Sequence, residues 1–131
     1  MLGHLALSAA LTILSAAEIE PTLSAFAWEK RPILVFSPAD DPRLTAQLDA
    51  FRDRAAALVD RDNVVIVDTG VESGLRRVYR PEGFTVILVG KDGGEKLRRR
   101  RVVAVEELNA LIDTMPMRRN EMRRAGGEEP S

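Results

Sequence analysis

The chain contains no cysteine and a single histidine, His4, among its 131 residues. Without cysteine there can be no disulfide framework, no thiol nucleophile and no thiol–disulfide exchange, so we expect no thiol oxidoreductase or peroxidase activity. If the segment that carries His4 is removed, the protein also lacks a histidine base, a Ser-His-Asp triad and a Cys/His zinc site. We therefore expect no cofactor and no bound metal.

Aromatic residues make up only 5% of the chain, and the formal net charge is −1. The core must therefore be built mainly from leucine, isoleucine, valine and alanine. A nearly neutral chain is not drawn electrostatically to nucleic acid or to an anionic membrane, so we expect no nucleic-acid partner. Its length suffices for one modest domain and is too short for two.

The N-terminal segment is apolar and carries no charge over residues 5–17 (LALSAALTILSAA). It is shorter than the ~20 residues of a transmembrane helix, and it ends in small residues that a signal peptidase recognises. We predict a signal peptide over residues 1–17, and hence a periplasmic or secreted protein with no stable membrane span after cleavage. A second small-residue site, Ala25-Phe26-Ala27, would give a mature chain that begins at Trp28. The alternatives are an uncleaved anchor, a buried N-terminal helix and an incorrectly assigned start codon.

Four segments have the patterns of β-strands. They are the two uninterrupted apolar runs 33–36 (ILVF) and 84–89 (FTVILV), the β-branched run 63–68 (NVVIVD) and the alternating segment 95–103. The apolar runs predict strands that are buried on both faces. Asp92-Gly93 predicts a tight hairpin turn, and the arginine-rich segment that follows it is typical of an edge strand.

Three segments predict helices. Asp41 can cap a helix whose first residue is Pro42, and apolar residues then recur at spacings of three and four, through Phe51, as far as Leu58. A short helix is predicted over residues 72–80, with Leu75, Val78 and Tyr79 facing inward. A last helix is predicted from Glu106 to Pro116.

The order of these elements is β-α-β-α-β-β-α, which predicts a four-stranded mixed sheet with helices on both faces. The long crossover makes the first two strands parallel and the hairpin makes the last two antiparallel. The two apolar runs should lie side by side in the middle of the sheet, and the arginine-rich strand should form an edge. This α/β plan is that of a minimal thioredoxin-like fold.

The domain organisation follows from these elements. We predict a signal peptide over residues 1–17, an N-terminal extension over 18–27, the thioredoxin-like domain over 28–117 and a polar C-terminal tail over 118–131 that frays.

Four segments carry a resemblance to a known family. They are residues 28–36 (WEKRPILVF), 40–44 (DDPRL), 84–94 (FTVILVGKDGG) and 115–119 (MPMRR). Together they resemble the bacterial DUF4174 family, the prokaryotic counterparts of the DUDES domains of vertebrate secreted matrix proteins. The resemblance implies a thioredoxin- or peroxiredoxin-like fold, an exported location and no established activity.

In thioredoxin-like enzymes the reactive thiol lies just after the first strand of this plan, where the helix dipole favours an anion. The candidate binding residues around that position are Asp40, Asp41, Arg43, Thr45 and Thr85. The two aspartates could bind a hard cation or act as general acid and base, or Asp41 could simply cap the helix while Asp40 is solvated. Arg43 and Thr45 could hold an anion or be ordinary surface residues.

Two further patterns have a functional and a structural interpretation. The run Arg98–Arg101 could dock an acidic partner, a polysaccharide or nucleic acid, but protection of an edge strand is the favoured interpretation. The methionines Met115, Met117 and Met122 could bind copper, but packing around Pro116 is favoured.

We therefore predict a module that binds an unidentified protein or small ligand, with no prediction of oligomeric state. The alternative is a cysteine-independent hydrolase or metal-dependent enzyme that uses the carboxylates at the start of the first helix. A concave site with buried, perturbed carboxylates around Asp40, Asp41, Arg43 and Thr85 would favour the enzyme. A flat, solvated edge would favour the module.

Overall fold

A computed structural model describes residues 10–19, 22–70 and 73–127. The helices and strands are β1 (Ile13–Ser15), β2 (Arg31–Phe36), α1 (Pro42–Asp53), α2 (Ala55–Asp60), β3 (Asn63–Asp68), α3 (Gly74–Tyr79), β4 (Thr85–Val89), β5 (Glu95–Arg99), α4 (Val105–Ile112) and α5 (Pro116–Ala125). Residues 1–9 of the predicted signal peptide, residues 71–72 at the start of the predicted short helix, and residues 128–131 of the predicted tail lie outside the described residues. Within the described ranges, no helix is long and apolar enough to cross a membrane.

The sheet has the strand order β1-β3-β2-β4-β5. β2 pairs in parallel with β3 and antiparallel with β4, so that Ile33 lies between Val65 and Leu88. The arginine-rich β5 pairs antiparallel with β4 at one edge. Gly93 has φ +84 in the hairpin turn that joins β4 to β5, the conformation that made Asp92-Gly93 a turn signal. The predicted arrangement of these four strands is confirmed.

The sheet has a fifth strand, β1, which the sequence did not predict. In the uncleaved chain β1 pairs in parallel with β3, with Ile13 opposite Val65 and Ser15 opposite Val67, and Ala16 beside it is buried. This strand lies in the segment predicted as a signal peptide. A short, apolar, uncharged segment can be a signal peptide or a β-strand, and its periodicity does not distinguish the two.

Alternating residues of the central strands divide the core into two layers. Ile33 and Val35 face one layer, which includes Phe51 of α1 and Leu108 of α4. Leu34 and Phe36 face the other, which α3 covers. As predicted, the side chains of Phe51 and Leu108 are fully buried, and helices cover both faces of the sheet.

The helices differ from the predicted ones in two places. A turn at Arg54 separates α1 from α2, where the sequence predicted one continuous helix; no proline or glycine marks this break. On α3, Val78 was expected to face inward but is 57% exposed, because in this six-residue helix only Leu75 and Tyr79, one turn apart, reach the core.

The predicted fraying tail contains helix α5. Pro116, which we interpreted only as the end of a helix, occupies the first turn of the next one, a position that proline favours. The sequence did not predict α5 because its residues show no apolar stripe. Its buried residue is instead a charged one, Arg118.

Candidate functional site

The residues predicted as a site lie where β2 ends and α1 begins. There Asp41 accepts a hydrogen bond from the backbone N–H of Arg43 at 2.9 Å and caps α1. The guanidinium of Arg43 also donates to both carboxylate oxygens of Asp41, one of them at 2.6 Å. These hydrogen bonds from Arg43 hold the pKa of Asp41 below its usual value. Asp41 is thus ionised and engaged in capping, as in the structural interpretation.

The structure brings only Asp41 and Arg43 together. Asp40 and Thr45 are exposed. Thr85 is fully buried, and its hydroxyl lies 3.3 Å and 3.2 Å from the backbone oxygens of Glu82 and Gly83. Apart from the buried Thr85, the predicted residues therefore form a solvated edge with a local ion pair, the arrangement that we took to favour a module over an enzyme. Within the described ranges, no group of three or more histidine or acidic side chains could hold a metal ion.

The four-arginine run does not form one basic patch. β5 ends at Arg99 and not at the predicted Val103. Arg99 and Arg101 lie on one side, where each pairs with Glu107 of α4 at 3.0 Å. Arg98 lies on the other side and pairs with Glu95 at 2.8 Å. Arg100 projects to that same side and lies 3.4 Å from Glu82. Local carboxylates thus neutralise much of the run, which supports its interpretation as a protected edge.

The opposite end of β2 holds a buried ion pair. Arg31, the first residue of the strand, is 1% exposed, and its guanidinium makes two hydrogen bonds of 3.1 Å to the carboxylate of Glu121 on α5. Lys91, which follows β4, donates to the same carboxylate at 2.8 Å and to Asp62 at 2.7 Å. Two cations from the sheet therefore share one carboxylate from α5.

A buried cation on α5, Arg118, lies 3.7 Å from Glu121 and extends these contacts into a network. Arg118 donates to Asp60 at 2.7 Å and to Asp113 at 3.2 Å, and Arg61 pairs with Asp113 at 2.8 Å. We call the whole set the ionic network; its members are Arg31, Arg61, Lys91, Arg118, Asp60, Asp62, Asp113 and Glu121. The network has four cations and four anions and is therefore neutral. It attaches a polar helix to the domain.

The pKa values reflect these contacts. Burial works to raise the pKa of Glu121, but the hydrogen bonds from Arg31 and Lys91 outweigh it, and the pKa lies below its usual value. The hydrogen bond from Arg61 likewise lowers the pKa of Asp113. Both carboxylates are therefore ionised near neutral pH, as the network requires.

A cavity of about 300 Å³ opens beside this network, and we call it the Trp28 cavity. Its lining residues are Trp28, Arg31, Gly90, Lys91, Asp92, Lys96, Met115, Pro116 and Met117. Most of the lining is apolar, and Trp28 is 64% exposed. The backbone of Trp28 has φ +67 and its N–H donates to the carbonyl of Lys91 at 2.7 Å. A bulky residue rarely adopts this conformation, and such strain is concentrated at functional sites.

Three of the four segments behind the family resemblance meet at the Trp28 cavity. They contribute Trp28 and Arg31, then Lys91, and then Met115 with Met117. The sequence pattern identified these segments, but we predicted the binding site at the other end of β2. The sequence did contain an indication of the site at the N-terminal end of β2, because Arg31 and Lys91 each lie close to one of the two apolar runs.

The charged side chains in the wall of the Trp28 cavity are already paired. The cations in its wall, Arg31 and Lys91, are paired with Glu121, and Lys96 is paired with Asp92 at 2.9 Å. A ligand would therefore be held mainly by apolar contact with Trp28 and the methionines.

Comparison with solved structures establishes the thioredoxin-like fold. Chloroplastic thioredoxin z superposes with a TM-score of 0.61 at 17% identity, over 86% of this chain and 100% of that one. A thioredoxin from Malassezia sympodialis gives 0.60 at 11% identity, over 82% and 94% of the two chains. The 2-Cys peroxiredoxin of Plasmodium vivax gives 0.59 at 13% identity, over 75% and 84%.

Sequence comparison identifies a family without an assigned role. The family model described as a domain of unknown function, DUF4174, matches residues 22–121. No curated protein matches the chain. The match includes the four segments that carried the resemblance and both ends of β2.

Proposed function

The chain belongs to the DUF4174 family, and we propose that it is an exported binding module that captures an apolar side chain of a partner protein in the Trp28 cavity. The observation that carries the proposal is the exposed Trp28 at the rim of an apolar cavity. Since the chain has no cysteine, its thioredoxin fold serves as a scaffold for this surface and does not supply a thiol.

Two properties of Trp28 support a role in binding. Tryptophan is enriched among the residues that dominate interface energetics, because it buries a large apolar surface. Its backbone is also held by the hydrogen bond to Lys91, so binding would require little further ordering of the main chain. The cavity beside it is of a size to receive one bulky side chain.

The enzyme alternative gains no support from the predicted carboxylates. Asp41 caps α1 and is paired with Arg43, and Asp40 is solvated. The pKa of Asp41 is lowered rather than raised, and Asp40 is exposed. A carboxyl becomes an acid–base catalyst near neutral pH when burial raises its pKa.

The binding proposal is tested by the chain's single tryptophan, which reports directly on the cavity. Peptides selected from a displayed random library on the full chain should shift the fluorescence emission of Trp28. Measured by titration calorimetry, Trp28→Ala should weaken their binding roughly thirtyfold, as expected for a central interface residue. Met117→Ala should weaken it less. Val78→Ala, a change at an exposed apolar residue of α3, is the matched control. Selected peptides that bind Trp28→Ala as tightly as wild type would refute the proposal.

Export is the second part of the proposal, and the apolar segment over residues 5–17 supports it. Cleavage after Ala17 would remove β1 and leave β3 as the outer strand. Intact-mass measurement of the protein from its native host should therefore give a chain that starts at Glu18 or at Trp28. A cytoplasmic protein that retains the whole N-terminal segment would contradict export without affecting the Trp28 cavity.

A further inference from the structure

A groove lies next to the Trp28 cavity and shares Pro116 with it. The groove is open to solvent and is lined by Pro116, Arg119, Asn120 and Arg123 of α5. Arg119 and Arg123 are four residues apart and therefore project from the same side of the helix. The apolar cavity and this groove, which we call the arginine groove, form one continuous surface.

Among the residues that the structure describes, no carboxylate forms an ion pair with the arginines of the arginine groove. Within the described part of the chain, the ion pairs of α5 all involve Arg118 and Glu121. Arg119 and Arg123 are exposed, and the guanidinium of Arg123 donates to the neutral amide of Asn120. Because the ionic network below is neutral, these two arginines determine the charge at this rim of the surface.

The geometry points to an acidic peptide segment as the partner. One bulky apolar side chain of this segment would fill the Trp28 cavity, and neighbouring aspartate or glutamate residues would pair with Arg119 and Arg123. Guanidinium groups bind carboxylates with two parallel hydrogen bonds, which adds specificity to the charge attraction. The inference rests on the proposed function, because it names the partner of the same cavity.

A peptide fits this surface better than other anionic partners. Single-stranded nucleic acid is bound by stacking on several exposed aromatic residues, whereas the exposed large apolar residues described here include one aromatic, Trp28. An anionic polysaccharide has no bulky apolar group to fill the cavity. A membrane surface is bound through a broad apolar helix face, which α5 lacks.

The test uses three short synthetic peptides that differ only in charge or anchor: a central Phe flanked by Glu, the same Phe flanked by Lys, and Glu residues around a central Ala. Binding to the full chain is measured by titration calorimetry and by Trp28 emission. We expect the Glu–Phe peptide to bind at least about tenfold more tightly than either of the others, with a preference over the Lys peptide that falls as salt is raised.

The charge dependence is tested with a double reversal, Arg119→Glu together with Arg123→Glu. This variant should lose the preference for the Glu–Phe peptide. A fourth, neutral peptide with a central Phe should still change its Trp28 emission. Arg77→Glu together with Arg80→Glu makes the same change of charge at exposed arginines outside the lining of the cavity and the groove, and it should keep the preference.

The outcomes separate this inference from the proposed function. Equal binding of the Glu–Phe and Lys–Phe peptides, with the Trp28 response intact, would overturn the acidic partner and leave the apolar cavity standing. Peptides that never change Trp28 emission would overturn the proposed function itself. Tighter binding of a single-stranded oligonucleotide, of heparin or of anionic vesicles, lost in the double reversal at Arg119 and Arg123, would overturn the assignment of a peptide.

Discussion

The two ends of the central strand β2 are polar in different ways. At its C-terminal end, the pair formed by Asp41 and Arg43 is local in sequence and lies at a solvated edge. At its N-terminal end, Arg31 is buried and reaches Glu121, 90 residues further along the chain. Thioredoxin-like enzymes place their reactive thiol at the first end, where this protein also buries Asp68, opposite Phe36 and paired with Arg76 at 2.7 Å. The larger set of buried charges and the apolar cavity lie at the second end.

The contrast shows which polar residues the fold depends on. An exposed pair contributes little, because water solvates both groups well when they separate. A buried pair is different: removal of one partner leaves the other charge without water and without a counter-ion. The ionic network at the N-terminal end should therefore respond strongly to mutation, and the pair of Asp41 with Arg43 at the C-terminal end should not.

The largest expected effect is that of Glu121→Ala. It leaves Arg31, which is 1% exposed, and Lys91, which is 9% exposed, without the carboxylate that they share, so we expect a loss of about 3–5 kcal/mol in the free energy of unfolding. Urea denaturation followed by circular dichroism measures it. Glu106→Ala, which removes an exposed carboxylate paired with Arg54, is the matched control. A loss in the free energy of unfolding no larger than that of the control would mean that the buried ion pair contributes no more to stability than an exposed one.

A triple substitution sharpens this prediction. Arg31→Met, Lys91→Met and Glu121→Leu together remove these three charges. Asp62 then loses its partner Lys91, but its side chain is 37% exposed and stays solvated. Replacement of a buried ion pair by well-packed apolar residues is often neutral or stabilising. We therefore expect the triple variant to be more stable than Glu121→Ala alone.

Much of the fold could be predicted because it depends on local patterns. The apolar runs around Ile33 and Val86 gave the central strands, and Asp92-Gly93 gave the hairpin. β1 was missed because a three-residue strand within an apolar, signal-like segment carries no strand-specific period. Helix α5 was missed because ion pairs with distant residues attach it, and an ion pair leaves no periodicity in the sequence.

The candidate site was predicted less well, for a related reason. The position after β2 was inferred from the fold of enzymes whose chemistry needs a thiol, and in this chain the position holds a helix cap. The Trp28 cavity forms only when residues 28–31, 90–96 and 115–117 come together. Its residues are far apart in sequence, so no spacing within any one segment predicts it.

A second test of the contrast is the dependence of stability on pH. Glu121 and Asp113 have pKa values below their usual values in the folded protein, so the folded state binds fewer protons than the unfolded state as the pH falls. Their contribution is present above the ordinary carboxyl pKa of ~4 and is lost as the pH falls through the lower folded-state values.

The network should supply part of this pH dependence, and Asp41, whose pKa is also lowered, should contribute in the same direction at the other end of β2. Free energies of unfolding measured between neutral and acid pH should show a smaller acid-induced loss in Glu121→Gln than in wild type, although the variant is less stable at neutral pH. Equal acid-induced losses in the two proteins would place the responsible carboxylates elsewhere.

A smaller effect is expected at Trp28, because this residue is exposed and its backbone is strained. Glycine adopts positive φ without the clash that other residues suffer, so at φ +67 we expect Trp28→Gly to be about 1 kcal/mol more stable than Trp28→Ala. Both should lose the binding of selected peptides. Thermal unfolding would show the higher stability of Trp28→Gly relative to Trp28→Ala, and peptide titration would show the loss of binding in both. Equal stability of the two variants would argue against strain at this position.

The smallest effect should be that of Asp41→Asn at the other end of β2. Asparagine caps helices about as well as aspartate, so the hydrogen bond to the N–H of Arg43 can be kept while the exposed ion pair is lost. We expect unfolding in urea and peptide binding to match wild type within error, and Asp41→Ala, which also removes the cap, to be less stable than Asp41→Asn. If Asp41→Asn abolished peptide binding, the functional surface would lie where the thiol of a thioredoxin lies, and the contrast drawn between the two ends of β2 would be reversed.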